Sequence, residues 1–211
     1  MLDILRTLAP LPLVAILRAD TADGFLPASE VLYAAGFRCL ELTLTTEGAL
    51  TAVEEVRATL PHDLVVGVGT VRTEQHVKEA ADAGAHFLVS QIYRPHLVEA
   101  ARGLDVPFIP GALTPTEILN AWEGGVPAVK ISPIGPVGGV DYLKQVRAPL
   151  PEVPIMPTGG VDATDIPAYL DAGAVAVGLS GAFIGDALES DGDLAGLADR
   201  ARAAMNALTD R

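Results

Sequence analysis

The chain has 211 residues, half of them hydrophobic, and a formal net charge of −13. Its length fits one large domain or two small ones, and an acidic balance with no basic cluster excludes a nucleic-acid-binding face. A single cysteine, Cys39, excludes an internal disulfide and a cysteine-based zinc site.

The longest uncharged stretch, 172–185, is too short and glycine-rich to span a membrane. With Asp3 and Arg6 inside its first turns the chain is expected to carry no signal peptide. These points favour the cytoplasm. No metal or cofactor is expected, and any anionic substrate must be held by local donors, because the global field repels it.

In chain order, eight apolar runs read as strands: "LVAILR" (13–18), "CLELTLT" (39–45), "LVVGVGTV" (64–71), "FLVSQ" (87–91), "PFIPGA" (107–112), "AVKISP" (128–133), "PIMPTGG" (154–160) and "AVAVGLS" (174–180). Their near-continuous apolar character fits parallel strands covered on the outside. Amphipathic stretches such as "TEGALTAVEEVRATL" and "TPTEILNAWEGG" lie between them. Eight strand–helix units in this length match a small (β/α)8 TIM barrel with an N-terminal helix, one α/β domain over residues 1–211. A doubly wound open sheet is the structural alternative.

An internal repeat supports the barrel. Gly36, Gly84, Gly125 and Gly173 each close a helix pattern ("AAGF", "DAGA", "EGGV", "DAGA") and precede the second, fourth, sixth and eighth strands. Alternate strands of a barrel feed the same interior layer. Five residues beyond each glycine stand Glu41, Val89, Lys130 and Gly178, so an acid and a lysine are expected to face inward at one height. Lys130 is the anomaly, a charge in an apolar strand. Lys78 and Lys144 sit in polar, helix-like settings, and these three are all the lysines of the chain.

A purely structural buried ion pair is one explanation of Glu41 and Lys130, although such pairs often add little stability. Catalysis is the other. Desolvation pushes a lysine toward its neutral form, and a neutral amine can attack a ketone to form a Schiff base. A carboxyl group in the same layer can then move protons. "PTGGV" (157–161) after the seventh strand and "GLSGAFIG" (178–185) after the eighth are where barrels commonly build phosphate sites. Arg18, ending the first strand, suits a carboxylate or phosphate, and Thr70, ending the third, can donate to the same anion. His62, His76, His86 and His96 show no metal-ligand spacing, and Trp122 reads as helix packing.

Taken in order, "AILR", "GFRCLELTL", "GVGTV", "IPGALTPTE", "AVKISP" with Gly138 and Gly139, "PTGGV" and "GLS" resemble the bacterial 2-keto-3-deoxy-6-phosphogluconate / 4-hydroxy-2-oxoglutarate (KDPG/KHG) aldolase family over nearly the full length. The resemblance implies a class I aldolase, usually a homotrimer, acting on a small phosphorylated keto acid. It implies Lys130 as the Schiff-base lysine and Glu41 as acid/base, Thr70 at the pyruvate carboxylate, and Gly159, Gly160 and Ser180 at the phosphate.

Three positions depart from the family. The arginine expected four residues after the glutamate is Thr45, the aromatic residue two after the lysine is Ser132, and "SPG" after the fourth strand is "SQI" (90–92). Arg18 is expected to take over the charge missing at Thr45, as in the related phosphogalactonate branch. The leading expectation is cleavage of 2-keto-3-deoxy-6-phosphogluconate or a close analogue to pyruvate and glyceraldehyde 3-phosphate. The alternatives are phosphogalactonate or hydroxy-oxoglutarate aldolase, a phosphosugar epimerase or isomerase using Glu41 as carbon base, and a non-catalytic sugar-acid-binding barrel.

Overall fold

A computed structural model describes residues 2–209. The strands are β1 (Leu13–Leu17), β2 (Cys39–Thr43), β3 (Val65–Gly69), β4 (Phe87–Val89), β5 (Phe108–Ile109), β6 (Gly111–Ala112), β7 (Val129–Ile131), β8 (Ile155–Pro157) and β9 (Val177–Leu179). The helices are α1 (Ile4–Leu8), α2 (Phe25–Ala34), α3 (Ala49–Thr59), α4 (Glu74–Asp82), α5 (Pro95–Gly103), α6 (Pro115–Glu123), α7 (Gly139–Arg147), α8 (Ile166–Asp171), α9 (Gly181–Ile184) and α10 (Leu194–Thr209).

All pairings are parallel. A six-stranded sheet runs β5-β4-β3-β2-β1-β9, and a three-stranded one runs β6-β7-β8. They are parts of one barrel. A parallel bridge from Thr158 to Gly178 and the Val175 N–H donating to the Ile155 carbonyl at 2.9 Å join β8 to β9. On the other side β5 and β6 are two halves of the strand expected over 107–112. Pro110 interrupts it, because proline has no N–H to give the ladder. Its carbonyl still accepts from the Lys130 N–H at 2.8 Å, so the barrel closes across the break. All eight expected strands are present, each shorter than its apolar run.

The four repeat glycines lie just beyond the C-caps of α2, α4, α6 and α8, with φ of 109°, 84°, 74° and 90°. A residue with a Cβ pays for that left-handed geometry and glycine does not. Each helix therefore stops at the same point of its unit, and each following strand enters in the same register.

Side-chain alternation gives two separate apolar layers. Outward-facing residues such as Leu13, Leu40, Val66, Val68, Leu88, Val129 and Ile155 pack under the helices. Inward-facing Val14, Ile16, Cys39, Val65, Phe87, Val89, Ile109, Ala128, Met156 and Ala176 fill the barrel, where Ile4 and Leu8 of α1 join them. Several of these inward residues lie at the N-terminal ends of their strands, so α1 plugs that end and polar groups are left for the other.

Candidate active site

Glu41 and Lys130 have the same parity as the inward apolar residues of β2 and β7, one step toward the C-terminal ends of the strands. Lys130 Nζ donates to both Glu41 oxygens at 3.2 Å. Glu41 is 0% exposed and Lys130 4%. Val89 belongs to the interior cluster. A Cβ added at Gly178 would stand 3.2 Å from Ile16 Cδ1, so this position faces inward as well. The layer expected from the glycine spacing therefore exists.

Glycines in β3 make room for it. A Cβ at Gly69 would stand 2.0 Å from Glu41 Oε1, and one at Gly67 would stand 2.4 Å from the Phe87 ring. The strand that faces the acid has given up its side chains there. Burying two charges costs solvation, and an apolar pair of equal volume often serves stability as well or better. Packing alone thus gives no reason for the pair.

A cavity of about 410 Å³ opens above Lys130. Ile16, Arg18, Gln91, Ser132, Thr158 and Gly159 line it, together with Ser180 and Gly181. Glu41 lies behind Lys130 and is not part of that lining. Arg18 is exposed at the mouth, and its Nη2 donates to Thr70 Oγ1 at 3.2 Å. Thr70 has φ of 63°. That geometry costs a β-branched residue about 1–3 kcal/mol and clusters at functional sites. Here it accompanies a hydroxyl that meets the only guanidinium lining the cavity among the described residues.

Gly159 and Gly160 adopt φ of 81° and 75° and turn the chain after β8. Gly159 and Ser180 line the cavity; Gly160 does not, and packs beside Gly135. Ser180 precedes α9, whose first N–H groups have no acceptor within the helix. Thr45, where the family arginine was expected, is exposed, outside the cavity, and hydrogen-bonds Thr43 Oγ1 at 3.3 Å.

The remaining residues fit their ordinary roles. Lys78 and Lys144 are exposed and pair with Asp82 and Asp141 on their own helices. Trp122 packs on the outer core. No helix among the described residues is long and apolar enough to cross a membrane, and the described residues hold no cluster of three or more histidine, cysteine or acidic side chains fit for a metal.

Thr158 escaped the sequence reading. It lines the cavity and is buried, yet its Oγ1 has no hydrogen-bond partner. A buried hydroxyl without a partner costs stability, and a substrate oxygen is a ready one. Its place before the paired glycines of "PTGG" was the available signal.

A lysine and a carboxylate within a (β/α)8 barrel, below a cavity ending on two glycine loops, define the class I aldolase type of enzyme. The chain belongs to the KDPG and KHG aldolase family, whose profile matches residues 4–198. It is 35% identical over 168 residues, 80% of this chain and 79% of the relative, to the 2-dehydro-3-deoxy-phosphogluconate aldolase of Haemophilus influenzae. Among solved structures it superposes on the KDPG aldolase of Legionella pneumophila, in which pyruvate is captured as a covalent carbinolamine, with a TM-score of 0.86, 26% identity and coverage of 97% and 98% of the two chains. A native KDPGal structure matches with a TM-score of 0.85 and 27% identity over 95% of each chain.

Proposed function

We propose that this chain, as one catalytic domain, cleaves 2-keto-3-deoxy-6-phosphogluconate or a close analogue to pyruvate and glyceraldehyde 3-phosphate through a Schiff base on Lys130. The observation that carries the reading is the position of the Lys130 amine, 3.2 Å from both oxygens of a buried carboxylate and at the floor of the cavity. Glu41 takes a proton from Lys130, and the free amine attacks C2 of the keto acid. A proton passes from the attached nitrogen to the former carbonyl oxygen through a bridging water, giving the carbinolamine. Protonated Glu41 then gives its proton to that hydroxyl through the same water, and loss of water leaves an iminium. The carboxylate then takes the C4 hydroxyl proton as C3–C4 breaks and its electron pair flows into the iminium. Glyceraldehyde 3-phosphate departs. The enamine is protonated at C3, and hydrolysis of the resulting iminium releases pyruvate and the amine.

Arg18 and Thr70 hold the carboxylate in this reading. Gly159 and Ser180, which line the cavity, hold the phosphate, with backbone N–H groups as donors, and Gly160, expected beside them, shapes the turn behind. Arg18 over the cavity, with Thr45 outside it, favours a second reading in which the natural substrate is the phosphogalactonate analogue. Pyruvate release from phosphogluconate, phosphogalactonate and hydroxy-oxoglutarate substrates decides among them. Turnover of a phosphorylated sugar acid is expected, and a protein inert toward all three refutes the proposal. A homotrimer in the cytoplasm is the state that the family resemblance supports; light scattering of the purified protein tests the trimer.

A further inference from the structure

We propose that Gln91 and Ser132 form a neutral, hydroxyl-reading pair that selects a phosphorylated hydroxyaldehyde, rather than a short oxo acid, as the half of the substrate that leaves; the inference rests on the aldolase reading above. Gln91 stands two residues beyond Val89 and Ser132 two beyond Lys130, so both face the barrel axis one layer above the lysine. Gln91 Nε2 donates to Ser132 Oγ at 3.3 Å. Both residues line the cavity over Lys130, and both also line a neighbouring cavity of about 460 Å³. The pair is the wall between the two.

Its position is set by close backbone packing. A Cβ at Gly111 would stand 2.4 Å from the Gln91 carbonyl carbon, and one at Gly159 would stand 3.1 Å from Ser132 Oγ. The serine hydroxyl therefore lies over the first glycine of the loop proposed to hold the phosphate, two residues along the chain from Lys130. A chain anchored through C2 on Lys130, with its phosphate at Gly159 and Ser180, carries its middle hydroxyls past this point.

The pair has hydrogen-bonding capacity to spare. A primary amide offers two N–H donors and an acceptor oxygen, and a serine adds an O–H. Among the described residues the side chains of Gln91 and Ser132 bond only each other, through that single long contact. A substrate hydroxyl, donor and acceptor at once, satisfies what is left over. A carboxylate accepts only, and neither of these two side chains offers it a positive charge. The family resemblance places proline and an aromatic ring at these two positions, groups with no such capacity.

Condensation of pyruvate with D-glyceraldehyde 3-phosphate is compared with condensation with 3-oxopropyl phosphate, which keeps length and phosphate but lacks the hydroxyl. Wild-type protein is expected to favour the hydroxylated aldehyde in kcat/KM by about tenfold or more, the scale of one net hydrogen bond. Gln91→Ala with Ser132→Ala should erase that preference, while borohydride trapping of pyruvate on Lys130 stays at the wild-type level. Three results overturn the inference: no preference in the wild type, an equal fall for both aldehydes in the double variant, or trapping by the wild type without condensation of either aldehyde. Absence of trapping in the wild type would instead overturn the aldolase reading itself.

Discussion

The two ends of the barrel interior are built by the same strands on the same side-chain period and carry opposite chemistry. At the N-terminal end Val14, Cys39, Val65, Ala128 and Ala176 close on Ile4 and Leu8 without a charge among them. One or two steps further along those strands stand Arg18, Glu41, Gly69, Lys130, Ser132 and Ser180. A parallel barrel separates stability from catalysis by height alone. Changes at one end should leave the other's property intact.

The largest effects belong to the pair itself. Lys130→Arg should abolish pyruvate release, since a guanidinium is not an amine nucleophile. Glu41→Gln should retain pyruvate binding and lose about 10²–10⁴-fold in kcat, the range of general acid–base catalysis. Steady-state kinetics checks both, and near-normal turnover in Glu41→Gln would move the acid/base role elsewhere.

Next comes a residue with no chemistry of its own. Gly69→Ala puts a methyl group where Glu41 Oε1 now sits. The carboxylate can swing away, so the fold should survive, but misplacing a catalytic group by about 1 Å costs on the order of 10²-fold. Unchanged kcat with an unchanged Tm would show that Glu41 needs no fixed position.

At the opposite end the expected effect is on stability alone. Ile4→Ala should lower unfolding free energy by about 2–5 kcal/mol, as for other buried isoleucine truncations, with kcat/KM unchanged while the protein remains folded. Urea unfolding alongside kinetics reads both quantities. A parallel loss of activity would break the separation of the two ends.

Arg18→Ala should weaken keto-acid binding by about 1.5–3 kcal/mol, the scale of a hydrogen bond to a charged group, and leave phosphate contacts in place. A KM that does not move would leave the carboxylate to Thr70 and backbone donors.

The smallest effect lies outside both ends. Burial, and then the nearby Arg57 charge, lower the pKa of His86 below the ordinary histidine value, and its Nδ1 accepts the Val66 N–H at 3.0 Å. The unfolded chain thus binds this proton more readily than the folded one. Stability should be full above the ordinary value of about 6.5 and decline as pH falls from there toward the folded-state pKa. Thermal melts from pH 8 to 5 should show that slope, and His86→Gln should flatten it.

The sequence shows much of this molecule for physical reasons. Parallel strands covered on both faces leave continuous apolar runs, so all eight were legible. The C-terminal glycines of four helices set a common register, and that register alone put Glu41 opposite Lys130 across 89 residues of chain. The break in the fifth strand was visible only as Pro110, whose missing N–H does not say whether the strand ends or resumes. The contacts of Gly69 with Glu41, Gln91 with Ser132 and Arg18 with Thr70 join residues far apart in sequence through barrel curvature, which no local pattern encodes. Thr158 needed a cavity before its hydroxyl meant anything.

Covalent attachment of the substrate to Lys130 is the step from which the rest of the chemistry follows, and peptide mapping reads it without an assay of turnover. Wild-type protein incubated with pyruvate and borohydride should gain a single pyruvate-derived mass, located on the peptide containing Lys130 and absent from Lys130→Arg. Modification at Lys78 or Lys144, or none on any lysine, would contradict it.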